Sequence, residues 1–436
     1  MEVGGTGVTT VAEVRLWGKL IGAVALGKGV ADFQYDPAFA RSGIEVAPLM
    51  MPLSGRVFRF PELSAQTFHG LPGMLADSLP DKFGNALIDA WLATQGRTSL
   101  NAVERLCYTG TRGMGALEFV PVLGPKARDS QKLHVDQLVK LASEVLSHRG
   151  DLGVHFRDKA GALRDILRVG TSAGGARAKA VIAWNRKTNE ARSGQVPAPD
   201  GFEYWLLKFD GVSENADREL ADPKGYGVIE YAYHKMASAA GISMSECRLL
   251  EEGGRRHFMT KRFDRLPGGR KLHMQSLAAL AHLDFQMAGA HSYEQALLVI
   301  RQLGMGADAA EQLFRRMVFN IVARNQDDHV KNISFLMDQS GTWSLSPAFD
   351  VTYNYQPTGE WTSSHQMTLN GKRDGFLIED FRACARTASL KRGRADAIVG
   401  EIRAAVKRWR DYADEAEVTP RQRDKIQNAL RLGSFG

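Results

Sequence analysis

The octapeptide NQDDHVKN, residues Asn325 to Asn332, places the strongest constraint on what this chain can fold into. It follows an apolar run of helical spacing, FRRMVFNIVA, and precedes the strand-like ISFLM, so a dense polar cluster occupies the connection between a helix and a strand. Eighteen residues beyond Asn332, the segment SPAFDV ends another short apolar run on Asp350. The bland reading of acidic residues after a helix is a solvated turn, and for a lone Asp-Asp pair it suffices. Asn332 and Asp350 in register count against it here.

An aspartate, four intervening residues and an asparagine, then a second aspartate beyond a hairpin, is the spacing of a protein kinase catalytic loop and its metal-binding aspartate. Phosphoryl transfer needs a carboxylate to orient and deprotonate the attacking hydroxyl, and hard oxygen ligands to hold magnesium against nucleotide phosphates. Asp327 fits the first task and Asn332 with Asp350 the second, while Lys331 can add positive charge near the transferred group. Asp328 competes with Asp327 as base, and His329 is as readily structural as functional. A metallohydrolase centre of Asp327, Asp328 and His329 is the rival chemistry. Those three lie too close in sequence to surround a metal easily and lack a distant histidine partner.

Upstream, Lys208 in the strand-like YWLLKFDG is placed to reach nucleotide phosphates, and Glu230 in the helical VIEYAYHKMASAAGI is its expected carboxylate partner. Taken alone, a strand lysine is more often a snorkelling edge residue. The glycine-rich GTSAGGARAK, with Gly174, Gly175 and Lys179, can let backbone amides approach phosphates, but it matches neither GxxxxGK[ST] nor GxGxxG. Ser172 within it is a candidate for self-phosphorylation. The strand HFMTKRFDR supplies a candidate adenine hinge around Lys261 to Phe263, where Phe263 is equally a core residue.

The remaining pattern is α+β. VAEVRLWGKLIGAVAL reads as strands joined by a tight turn, continued by FQYDP. A helix follows with Asp77 or Ser78 as cap, Pro80 near its first turn and an end near Thr94. YTGTRGMGALEFVPV reads as a turn entering the edge of a sheet. Polar residues from Pro125 to Gln131 suggest a boundary, giving an N-terminal β-rich part (1–130), a nucleotide-binding part (131–275) and a helical part (276–436). Within the second, Leu133–Leu146 has helical spacing, and the order strand, exposed polar loop, strand is expected from AKAVIAW to YWLLKFDG. With 436 residues and 44% apolar side chains there is material for a large core. The formal charge of +7 decides little between phosphate ligands and nucleic acid. Cys107, Cys247 and Cys384 form no CxxC pair, which favours a reducing cytoplasm over a disulfide scaffold or zinc ribbon. No apolar run is long enough to span a bilayer and no secretory leader is evident at the start.

The segments LWGKLIGAVAL, LPGMLADSLPD, RGMGALEF, GTSAGGARAK, KRFDR, NQDDHVKN and SPAFDV together resemble the HipA family of serine/threonine kinase toxins of bacterial type II toxin-antitoxin systems, nearly end to end. The resemblance implies a protein-kinase-like fold with an added N-terminal β-rich subdomain and a mainly helical C-terminal lobe. It further implies ATP with Mg2+ as cofactors and transfer of the γ-phosphoryl group to a protein. An aminoacyl-tRNA synthetase is one such target. By motif, Asp327 resembles the catalytic base, Asn332 and Asp350 the magnesium ligands, Lys208 the phosphate-binding lysine and Ser172 the autophosphorylated serine. The doubled Gly174 and Gly175 depart from the family loop, although Arg177 and Lys179 keep its end, and Lys261 stands where a hinge acid is expected. The implied partner is a small helix-turn-helix antitoxin of HipB type, through which operator DNA is mainly contacted. The basic segment LKRGRADAIVGEIRAAVKRWR is a weaker candidate for direct DNA contact. The alternative is a catalytically weak co-repressor that keeps the fold without turnover.

Overall fold

Three antiparallel sheets carry the architecture of the computed structural model, which describes residues 9–97, 99–124, 132–147, 163, 166–167, 169–170, 177–212, 225–433 and 435. The first sheet has the order β4-β3-β2-β1-β5, formed by β1 (Val11–Leu16), β2 (Lys19–Gly27), β3 (Val30–Tyr35), β4 (Val57–Arg59) and β5 (Leu117–Val120). Trp17 and Gly18, with φ of 49° and 79°, make the two-residue turn between β1 and β2, a backbone that matches strand twist. Ala12, Val14 and Leu16 face the core while Val11 and Glu13 face out, as the two-residue period requires.

The second sheet runs β7-β6-β8-β10-β9, with β6 (Lys179–Asn185), β7 (Glu190–Ser193), β8 (Glu203–Lys208), β9 (Cys247–Glu252) and β10 (Arg255–Lys261). Helix Tyr226–Ala239 packs on it. The polar segment expected to be an exposed loop instead contains β7. Its side chains Ala191 and Ser193 are buried, and it pairs with β6 across a tight turn. The third sheet is β11 (His273–Ser276), β12 (Ser334–Met337) and β13 (Trp343–Leu345) in that order. Its β12–β13 hairpin starts just after Asn332 and ends just before the approach to Asp350, so it fixes the distance between them. The rest is mainly helical, including Tyr293–Gln302, Ala307–Val322, Ile378–Thr387, Arg394–Lys407, Trp409–Glu415 and Pro420–Ala429. Among the described residues, no helix is long and apolar enough to cross a membrane.

The helix that ends at Thr94 begins at Lys82, and its cap is Asp81, whose Oδ1 accepts from the Gly84 amide at 2.5 Å. Asp77 and Ser78 therefore do not cap it, and Pro80 stands directly before the cap, next to the first turn. The Asp77 carboxylate accepts from Ser276 N at 2.7 Å and Ser276 Oγ at 2.8 Å, which pins this segment to the third sheet.

A second tie joins RGMGALEF to KRFDR. The fully buried Asp264 accepts from Arg262 Nη2 at 2.6 Å, Gly115 N at 2.7 Å and Arg265 Nη1 at 2.8 Å. Burial alone would raise its carboxyl, but the two guanidiniums hold it well below the usual carboxylate range. Asp264→Ala leaves both arginines without their buried counter-charge and is expected to cost about 3–5 kcal/mol in urea unfolding. Because the folded state depresses this carboxyl, the Asp264 contribution is full at neutral pH and is lost as acidification passes below about 3.9, the unfolded value.

Candidate active site

Lys208 ends β8, a strand flanked by β6 and β10. Its Nζ donates to Glu230 Oε1 at 2.6 Å, from helix Tyr226–Ala239, and also to Asp350 Oδ1. One ammonium thus joins a strand, a helix and a loop that lie far apart along the chain. Arg177 Nη1 approaches the other Glu230 oxygen at 3.6 Å. Lys179 faces Asp81, with Nζ and Oδ2 3.3 Å apart and both side chains 3% exposed.

These groups shape one another's protonation. Burial would lower Lys208, but Asp350 and Glu230 outweigh it and hold the ammonium charged. Burial would likewise raise Asp350, yet Lys208, Lys179 and Arg177 keep it well below the usual carboxylate range. Glu230 is pushed upward, chiefly by burial and despite Lys208. Asp350 itself adopts φ +56°, a left-handed backbone uncommon for non-glycine residues but one that aspartate tolerates better than most.

A cleft is lined by Asn325, Asp328, His329, Asn332 and Asp350 among others. Asn332 donates its amide to the Asp327 carbonyl at 2.9 Å, which leaves its side-chain oxygen for another partner. Asp327 and its neighbour are treated in opposite ways. Asp328 is buried and accepts from Tyr293 Oη at 2.6 Å, from His365 Nδ1 at 2.8 Å and from Gln366 N at 2.8 Å. The Asp327 side chain stays about one quarter exposed and accepts at Oδ1 from Trp361 Nε1 at 2.7 Å. Asp328 therefore anchors the loop, and of the two only Asp327 keeps an oxygen for an incoming group.

The donor set suits magnesium. Asn332 and Asp350 offer hard oxygens on one cleft, and Mg2+ commonly takes only one or two protein ligands and completes its shell with phosphates and water. Among the described residues, no group of three or more His, Cys, Asp or Glu could hold a metal, so a metallohydrolase centre of Asp327, Asp328 and His329 has no support.

Not every residue singled out from the sequence lines this cleft. Lys331 sits over the Phe285 ring at 5.0 Å and lines a smaller pocket with Asp77 and Gly73, not the cleft. Lys261 ends β10 with its side chain on Glu203, and Phe263 packs on Phe349 with ring centroids 5.7 Å apart. Ser172, Gly174 and Gly175 fall outside the described residues. In the basic segment, Arg394 is spent on Glu311 and Glu401, Arg408 on Asp411 and Arg410 on Asp424. Reading the sequence did not anticipate Asp81, Tyr293, His365 or Trp361. Only Asp81, next to a proline at a helix start, left a local trace.

Comparison with known proteins matches residues 12–120 to the HipA N-terminal domain and residues 171–409 to the HipA-like C-terminal domain. The protein Y4dM of Sinorhizobium fredii, whose name assigns it provisionally to the kinases, is 26% identical over 228 residues. That alignment covers 49% of this chain and 53% of Y4dM, about half of each. The same fold is seen in the complex of HipA, HipB and operator DNA from the Shewanella oneidensis MR-1 toxin-antitoxin system. A chain of that complex aligns with a TM-score of 0.65 and 17% identity over 96% of this chain and 95% of its own length. The Helicobacter pylori proinflammatory kinase CtkA aligns with a TM-score of 0.34 and 12% identity over 52% of this chain and 88% of its own.

Lys208→Met removes the cation shared by Glu230 and Asp350 and is expected to destabilise the fold by about 3–5 kcal/mol, read as a lower melting temperature. Adding Asp350→Asn should restore part of that loss, because the repulsion the lysine had been quenching goes with it.

Proposed function

The chain belongs to the HipA family, and from that premise we propose that it is an ATP-dependent serine/threonine protein kinase acting as the toxin of a bacterial type II toxin-antitoxin system. The observation that carries this reading is the meeting of Lys208, Glu230 and Asp350 beside a loop on which Asn332 holds the Asp327 carbonyl. A strand lysine fixed by a helix glutamate, together with an aspartate and an asparagine on one cleft, is the equipment phosphoryl transfer requires.

In this reading Lys208 binds nucleotide phosphates and Glu230 keeps it in place. Asn332 and Asp350 hold Mg2+, which when bound neutralises charge on the phosphates. Asp327 orients the acceptor hydroxyl and takes its proton, while Asp328 keeps the loop backbone fixed beneath it. Lys179 lies next to Lys208 in the sheet and, although burial pushes its ammonium down, helps keep Asp350 ionised. Ser172 is the proposed site of self-modification, which would add about −2 charge to the glycine-rich loop. The division into parts 1–130, 131–275 and 276–436 follows the same reading.

The partner we propose is a helix-turn-helix antitoxin of HipB type. The Shewanella HipA chain is found with HipB and operator DNA, which supports DNA contact through the antitoxin, and Arg394, Arg408 and Arg410 of the basic segment already meet intramolecular carboxylates. A protein such as an aminoacyl-tRNA synthetase is the proposed target. The three free, buried cysteines suit a reducing cytoplasm.

Incubation with γ-labelled ATP and Mg2+ should label the protein itself and an acceptor from a cell lysate. Asp327→Asn should reduce that labelling by about 10²–10⁴-fold, the usual worth of a positioned general base. Labelling at full strength in this variant contradicts the base assignment. Phosphopeptide mapping that finds label elsewhere and none on Ser172 contradicts the loop assignment alone.

A further inference from the structure

The residues between Asp350 and helix Ile378–Thr387 return to the catalytic loop and grip it at several points. Gln366 N and His365 Nδ1 both reach the Asp328 carboxylate, and Gln326 Nε2 donates to Thr362 O at 3.3 Å. His365 is held from behind by Arg431, whose Nη1 lies 2.9 Å from His365 Nε2. A guanidinium has no acceptor, so Nε2 must accept, and the ring proton is placed on Nδ1, facing Asp328. The segment that carries Trp361 is therefore docked on the same loop as the proposed base.

Trp361 is the member of this segment that touches Asp327. Its Nε1 donates to Oδ1 at 2.7 Å, and His329 Nε2 lies 3.8 Å from that same oxygen. Among the described residues no hydrogen bond falls on Oδ2. The Trp361 carbonyl is itself held by Gln366 Nε2, so the indole is tied at its backbone as well as at its tip.

We infer that Trp361 is a positioning residue for the proposed base: by occupying Oδ1 it fixes the Asp327 carboxylate so that Oδ2 is presented to the acceptor hydroxyl. The indole suits this task chemically. It only donates, so it cannot compete for the proton Asp327 must accept. It is also uncharged, so it orients the carboxylate without supplying the counter-charge that a lysine or arginine would. Without it the carboxylate is free to rotate towards His329, and a smaller fraction of bound acceptors meets a correctly aimed oxygen.

This inference rests on the kinase reading and is tested with the full chain. Trp361→Phe keeps the ring and removes the N–H. The expected result is a fall in kcat for acceptor phosphorylation of about 10- to 100-fold, the scale on which small misplacements of a reacting group act. The KM for acceptor, the calorimetric affinity for MgATP and the melting temperature should stay close to those of the unmodified protein. The double variant Trp361→Phe/Asp327→Asn should be no slower than Asp327→Asn alone, because a residue acting only through Asp327 has nothing left to position. Unchanged or raised kcat in Trp361→Phe overturns the inference. So does a loss that multiplies with that of Asp327→Asn, or one that tracks MgATP affinity or melting. Absence of turnover in the unmodified protein overturns the kinase reading itself, and full activity in Asp327→Asn overturns the base assignment beneath this one.

Discussion

One ammonium group shared by two carboxylates organises the site. Lys208 carries Glu230 and Asp350 at once, and the three come from a strand, a helix and a loop that no local interaction would unite. Burying such a cluster is costly unless each charge finds an opposite one, and the two carboxylates here are matched by Lys208 with Arg177 close by. The strand order puts Lys179 directly beside Lys208, and Lys179 in turn meets Asp81, the cap of the Lys82–Thr94 helix. The N-terminal part of the chain thereby reaches into the charge balance of the cleft instead of hanging beside it.

The NQDDHVKN loop divides its labour between adjacent aspartates. Asp328 takes donors from Tyr293, His365 and Gln366 and is lost to solvent, whereas Asp327 keeps one oxygen outward. An acidic pair in a turn is ordinarily two solvated charges. Here the second residue is an anchor that allows the first to be presented in one orientation, and both are reached by residues that follow Asp350 in sequence. The hairpin β12–β13 sets the spacing between Asn332 and Asp350, so the geometry of this corner depends on backbone pairing as much as on the side chains themselves.

How much of this the sequence announces depends on whether the signal is local. The strands around Trp17–Gly18, the helix ending at Thr94 and the strand of Lys208 all carry their periodicity in adjacent residues, and they appear as that periodicity implies. The spacing from Asp327 to Asn332 to Asp350 was visible for the same reason. The strand β7 was hidden because charged and polar residues alternate with Ala191 and Ser193, and only the partner strand β6 makes that alternation meaningful. The cap at Asp81 was misassigned to Asp77 or Ser78 because each is a competent cap by composition. Which one serves is decided by Ser276, far along the chain, which takes up Asp77. Trp361, Tyr293 and His365 gave no signal at all. A lone aromatic or histidine in a polar segment acquires its role only from the distant carboxylate it meets.

In the proposed kinase, Lys208, Asn332 and Asp350 serve one magnesium-bound triphosphate. The most direct measurement is calorimetric titration of ATP into the unmodified protein and into Asp350→Ala, each with and without Mg2+. The predicted result is ATP binding that strengthens markedly when Mg2+ is added to the unmodified protein and gains little from it in Asp350→Ala. Equal magnesium enhancement in both proteins, or no ATP binding to either, contradicts it.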